Sequence, residues 1–174
     1  GVPFYGYSVL CRDCENVRDV LDSIESVAIT YGLDEGCSIR GVNLRLGGEV
    51  SRGSMASAFK SMRMCVDVVC EDERLEHDGL LGTLEIRALG ENNIRNALAA
   101  CTVGLCLGLP FGTIADGLRH FDGVERRLEV RGEANGVTVI EDYAHHPTEI
   151  ASTLQAIGWM KPSRVVCVFQ PHLY

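Results

Sequence analysis

Two short stretches decide the fold, Tyr7-Ser8-Val9-Leu10-Cys11 and Val27-Ala28-Ile29-Thr30-Tyr31. The first is a β-rich run. The second is β-branched and aromatic and is bounded by Gly32, so it reads as a strand. Between them Val17, Val20, Leu21 and Ile24 recur at helical spacing, with Asn16 as the N-cap. Strand, helix and strand joined by short connections make a parallel α/β unit.

Beyond this unit the pattern changes. Residues 39–46, 58–69 and 80–89 read as strands, and Leu84-Glu85-Ile86-Arg87-Ala88-Leu89 alternates cleanly. Alternation predicts a half-buried antiparallel sheet with one wet face. Residues 47–57 read as a polar loop and 71–79 as an acidic turn. Residues 93–107 follow as a helix, with Ile94, Ala97, Leu98, Cys101 and Leu105 on one stripe. Residues 113–121 form a second helix, with Ile114, Leu118 and Phe121 in phase. A domain boundary is expected near residues 121–124. After it, residues 128–133 and 137–141 flank Asn135-Gly136, a strong hairpin signal. Pro147 suits the first position of a helix running to about Gly158, with Glu149 in its first turn. Residues 164–169 (RVVCVF) are almost continuously apolar, which predicts a buried parallel strand.

Composition narrows the function. The chain has 174 residues and a net charge of −8, from 24 acids against 16 bases, which argues against nucleic-acid binding. Only Lys60 and Lys161 are lysines, so the other bases are arginines, suited to bidentate anion contacts. The longest apolar run, 97–112, is interrupted by Thr102, two internal glycines and Pro110, so no membrane span is expected. No signal peptide precedes the eight cysteines, which read as reduced thiols filling a cytoplasmic protein's core. The single C-x-x-C, Cys11 with Cys14, lacks the second pair that a zinc site would need.

Three blocks can carry chemistry. Asn93 and Asn96 share a helix face, where Asn caps a helix or reads a purine edge. Arg126-Arg127 sits at the expected domain junction, where an arginine can clamp a phosphate. Asp142-Tyr143-Ala144-His145-His146-Pro147-Thr148-Glu149 joins the end of a strand to the start of a helix. Ligands bind at that edge of an α/β sheet, and helix N-termini favour anions. Asp142 and His145 therefore point at a polyphosphate or a sugar hydroxyl. Adjacent histidines diverge, and no zinc motif is present, so no metal ligands are expected here. His172, beyond the 164–169 strand, is also placed for ligand contact.

Together these blocks resemble the Mur ligase family. The similar stretches are Pro3-Phe4-Tyr5-Gly6, Thr30-Tyr31-Gly32, Asn93 to Ala100, Gly123-Val124-Glu125-Arg126-Arg127, Asp142 to Glu149, and Val168-Phe169-Gln170-Pro171-His172. The resemblance implies a fragment. Residues 1–122 would be the C-terminal part of a central, parallel-sheet ATPase domain with antiparallel strands. Residues 123–174 would start a Rossmann-like C-terminal domain. No G-x-x-x-x-G-K-[ST] phosphate loop occurs in the chain. The implied activity is ATP-dependent amide-bond formation between UDP-N-acetylmuramate and L-alanine in peptidoglycan biosynthesis, or a peptide in place of L-alanine. The alternative is a non-catalytic nucleotide-binding module. The expected cofactors are ATP and Mg²⁺, the metal held by residues outside this chain. By the same resemblance Asn92, Asn93, Asn96, Arg127 and Asp142 would bind ATP, Arg127 and His145 would act in catalysis, and Tyr143, His145 and His172 would face substrate. The family often has His where Asn92 stands, and Arg where Leu173 stands.

Overall fold

The computed structural model describes residues 6–47 and 54–171. Five strands form one mixed sheet in sequence order: β1 (Tyr7–Cys11), β2 (Val27–Gly32), β3 (Ile39–Gly47), β4 (Arg63–Cys70) and β5 (Gly79–Ile86). The first three run parallel, whereas β3–β4 and β4–β5 are antiparallel. The expected α/β class, with parallel strands followed by antiparallel ones, is what forms. Between β1 and β2 lies α1 (Glu15–Val20), and between β3 and β4 lies α2 (Met55–Ser61). After β5 come α3 (Glu91–Cys106) and α4 (Phe111–His120). A separate hairpin, β6 (Glu129–Ala134) with β7 (Val137–Glu141), precedes α5 (Pro147–Gly158).

The core lies between the five-stranded sheet and α3. Ile29, Ile39, Met64, Val66, Val68, Leu84 and Ile86 pack with Ile94, Ala97, Leu98, Cys101 and Leu105, the stripe read from the sequence. Along β4 every second residue is buried. The intervening positions face the polar side, where Asp67 accepts from Arg45 at 2.9 Å, Asn43 at 3.0 Å and Thr83 at 2.7 Å. Gly41 lets α3 approach β3 closely, since a Cβ there would stand 2.9 Å from Leu98, Leu33 and Val66. The β6–β7 turn is Asn135-Gly136, with φ of 49° and 76°. Two left-handed residues match the twist of a hairpin, as the Asn-Gly pair predicts.

Several expectations are corrected. The N-cap of α1 is Cys14, not Asn16, and the helix buries no residue. Residues 58–61 belong to α2 rather than to a strand. Ser54 accepts from the Ser57 N–H at 3.2 Å and Glu133 from the Ala56 N–H at 2.7 Å, so two donors of the first turn of α2 have acceptors. Gly90, not an asparagine, caps α3. Three of the eight cysteines, Cys37, Cys70 and Cys101, are buried, while Cys14 and Cys167 are exposed, so thiols fill the core only in part. Residues 164–169 form no strand and join neither sheet, and Val166 and Val168 are 72% and 95% exposed. A buried strand needs ladder partners and apolar cover on both faces. Among the described residues Ile140 of β7 and Ile150, Leu154 and Ile157 of α5 line the groove beside this segment.

Candidate functional site

A cleft of about 590 Å³ lies between the five-stranded sheet with α3 and the segment 124–128 with α5. Its floor includes Cys11 and Tyr31, at the carboxyl ends of the parallel strands β1 and β2, where open α/β sheets bind ligands. One wall is the start of α3, with Asn92, Asn93, Arg95 and Asn96. The facing wall combines Arg127, Asp142, and Glu149, Ser152 and Thr153 of α5. The fold thus brings five residues singled out in the sequence into one cleft. Tyr143 and His145 stand outside its lining, and His172 lies outside the described residues.

Each wall is fixed by hydrogen bonds. Asp13, with its side chain only 8% exposed, accepts from the Leu33 and Asp34 N–H groups at 3.0 and 3.1 Å and from Arg95 Nε at 2.6 Å. Burial would raise the Asp13 carboxyl, but the Arg95 guanidinium and these backbone donors outweigh it and hold it low. Asn93 donates to the Leu89 carbonyl at 2.7 Å. Asn92 donates to Ser152 Oγ at 2.6 Å, so this amide fastens α3 to α5. Gly90 makes room for that contact, with φ +97° and a Cβ position 3.0 Å from Ala156. Burial, with the neighbouring Cys11 thiol, pushes the Tyr31 phenol up, so it keeps its proton near neutrality.

Arg127 is presented by an unusual turn. Its neighbours Arg126 and Leu128 both have left-handed backbones, φ 57° and 48°. Non-glycine residues rarely adopt that region, and such strain concentrates at functional sites. The turn is clamped on three sides. Leu128 N–H donates to Asp142 Oδ2 at 2.9 Å, Tyr143 N–H donates to the Arg126 carbonyl at 2.8 Å, and Arg126 N–H donates to Glu129 at 2.9 Å. Asp142 also accepts from the Ala144 N–H at 2.8 Å, and its other contact is Arg127 Nη1 at 3.8 Å. At the start of α5, His145 Nδ1 lies 3.1 Å from the Tyr143 carbonyl. A carbonyl can only accept, so Nδ1 donates in this contact. The Tyr143 and His145 rings meet edge to face at 5.4 Å. Among the described residues no group of three His, Cys, Asp or Glu side chains could hold a metal ion. No described helix is long and apolar enough to cross a membrane.

Sequence reading missed most of the cleft lining. Cys11 and Tyr31 carried a signal, as the last residues of predicted parallel strands. So did Glu149, Ser152, Thr153 and Ala156, which recur at helical spacing along α5. Arg95 carried none, because its partner Asp13 is remote in sequence.

A mixed sheet, a hairpin–helix unit and a polar cleft lined by Arg95 and Arg127 define an α/β protein. Residues 126–172 match the family model described as Mur ligase, glutamate ligase domain. The chain is 44% identical over 174 residues to UDP-N-acetylmuramate–L-alanine ligase of Salinibacter ruber, covering 99% of this chain and 33% of that one. It is 42% identical to the enzyme of the same name from Endomicrobium trichonymphae, with 99% and 34% covered. Among solved structures, MurF from Acinetobacter baumannii aligns over 91% of this chain and 30% of its own, with TM-score 0.64 and 20% identity. UDP-N-acetylmuramate–alanine ligase MurC from Thermotoga maritima aligns over 76% and 26%, with TM-score 0.55 and 24% identity. The chain is thus similar to Mur ligases along its whole length, and residues 126–172 match that family's model. It spans about a third of the length of the curated relatives it matches.

Proposed function

We propose that this chain is part of an ATP-dependent ligase that joins L-alanine to UDP-N-acetylmuramate in cytoplasmic peptidoglycan synthesis, and so serves cell shape and division. The observation that carries this reading is the cleft in which Asn93 and Asn96 of α3 face Arg127 and Asp142. Its volume suits a nucleotide-sized ligand, and its walls offer amides for a base or ribose and a guanidinium for phosphate. Residues 1–122 act as the later part of a central ATPase domain and 123–174 as the start of a C-terminal domain.

In this reading ATP activates the substrate carboxylate as an acyl phosphate, which the amine of L-alanine then attacks. Asn93 and Asn96 hold the nucleoside, while Asn92 acts at a distance by keeping α3 against α5. Arg127 stabilises charge on the transferring phosphoryl group, where fixed cations lower the barrier most. Asp142 holds the Arg127 turn. His145 lies with Tyr143 and His172 on the substrate side. Mg²⁺ is held by residues outside this chain.

The test is made on the full-length enzyme. Arg127→Ala and His145→Ala should each depress ligation of L-alanine with the melting temperature unchanged, and wild-type rates in both would overturn the assignment. The 174-residue chain alone, which lacks a phosphate loop, should show no magnesium-dependent ATP hydrolysis.

A further inference from the structure

The capping residue of α5 lies in the cleft, and its second oxygen faces the arginine there. Glu149 is the third helical residue of α5 and completes a capping box with His146. One carboxylate oxygen, Oε2, accepts from the His145 N–H at 3.1 Å and the His146 N–H at 3.3 Å. These bonds hold the side chain still, because a capping carboxylate satisfies donors that the first helical turn leaves without partners. The other oxygen, Oε1, accepts from Arg127 Nη2 at 3.3 Å. Oε2 also stands 3.6 Å from His145 Nδ1. The same carboxylate therefore touches the helix start, the arginine and the histidine.

We propose that Glu149 is a positioning residue that orients Arg127 for an anionic ligand in the cleft. The inference rests on the reading of the cleft as a phosphate site. The backbone of Arg127 is already fixed by its left-handed neighbours and by Asp142. What remains mobile is a long side chain that is 45% exposed. An arginine carries much rotamer freedom, and ordering it on binding weakens the ligand. Glu149 holds one Nη, and Asp142 lies beside the other at 3.8 Å. The guanidinium is a planar fork, so fixing one corner fixes the direction of the rest. Glu149 screens Arg127 only in part, since its charge is shared with two backbone N–H groups and the positive end of α5. Orientation outweighs screening.

Glu149→Gln separates this role from capping, because an amide oxygen still accepts from the two N–H groups but the guanidinium loses the carboxylate that holds Nη2, keeping only Asp142 at 3.8 Å. Full-length Glu149→Gln should bind ATP about tenfold more weakly, by calorimetry, with its melting temperature within a degree or two of wild type. Glu149→Ala should lose both affinity and melting temperature. In an Arg127→Ala background, Glu149→Gln should have no further effect on affinity. Unchanged or tighter ATP binding by Glu149→Gln, or an equal loss with Arg127 already removed, overturns the proposal. If wild type itself fails to bind ATP, the nucleotide reading of the cleft fails first, and the coupling then has no object.

Discussion

At the scale of single residues, carboxylates do most of the placing and arginines most of the presenting. Asp13 ties together the turn after β1, the turn after β2 and Arg95 of α3. Removing it leaves two backbone donors and a largely buried guanidinium without their acceptor. Asp13→Ala should therefore cost about 3 kcal/mol in chemical denaturation. Asp13→Asn should cost less, since one oxygen still accepts. None of this was visible in the sequence, where Asp13 lies 82 positions from its cation. The blocks carrying Asn93, Asn96, Arg127 and Asp142 were legible, because asparagines on one helix face, a paired arginine and a strand-to-helix junction each leave a local mark. Glu149 was legible as a capping residue and not as an arginine's partner.

At the scale of elements, the sequence reads well wherever one period dominates. Residues 84–86 alternate within β5, α3 carries one apolar stripe, and Asn135-Gly136 dictates its turn. Reading fails where a neighbour decides. Residues 58–61 have mixed periodicity and become helical once Ser54 and the remote Glu133 supply the acceptors for α2. Residues 164–169 have strand composition, but composition cannot provide a ladder. Gly41 shows how tight the sheet–helix contact is. Gly41→Ala should destabilise by about 1–3 kcal/mol, since three apolar side chains must shift to admit one methyl. Leu98→Ala, across the same contact, should cost about 2–5 kcal/mol. Because the two touch, their double mutant should cost less than the sum, as measured by a denaturation cycle.

At the scale of the whole molecule, acid should open the five-stranded sheet. The Arg45 guanidinium, with Thr83 and Asn43, holds Asp67 down at about 2, and the Arg74 guanidinium holds Asp72 there against burial. Both lie below the ordinary value of 3.8, so their contribution is complete above about pH 4 and lost as pH falls towards 2. The melting temperature should drop across that window, and Asp72→Asn should flatten the drop. The position of α3 has a further consequence, for the order of assembly during synthesis. All five strands leave the ribosome before the helix that covers them, since its last buried residue is Leu105. Until then Ile29, Ile39, Val66, Val68 and Leu84 have no cover from α3, and exposed apolar strands aggregate. A chain ended at Gly90 keeps every strand of that sheet, yet it should appear in the pellet, and adding residues 91–106 should return it to solution.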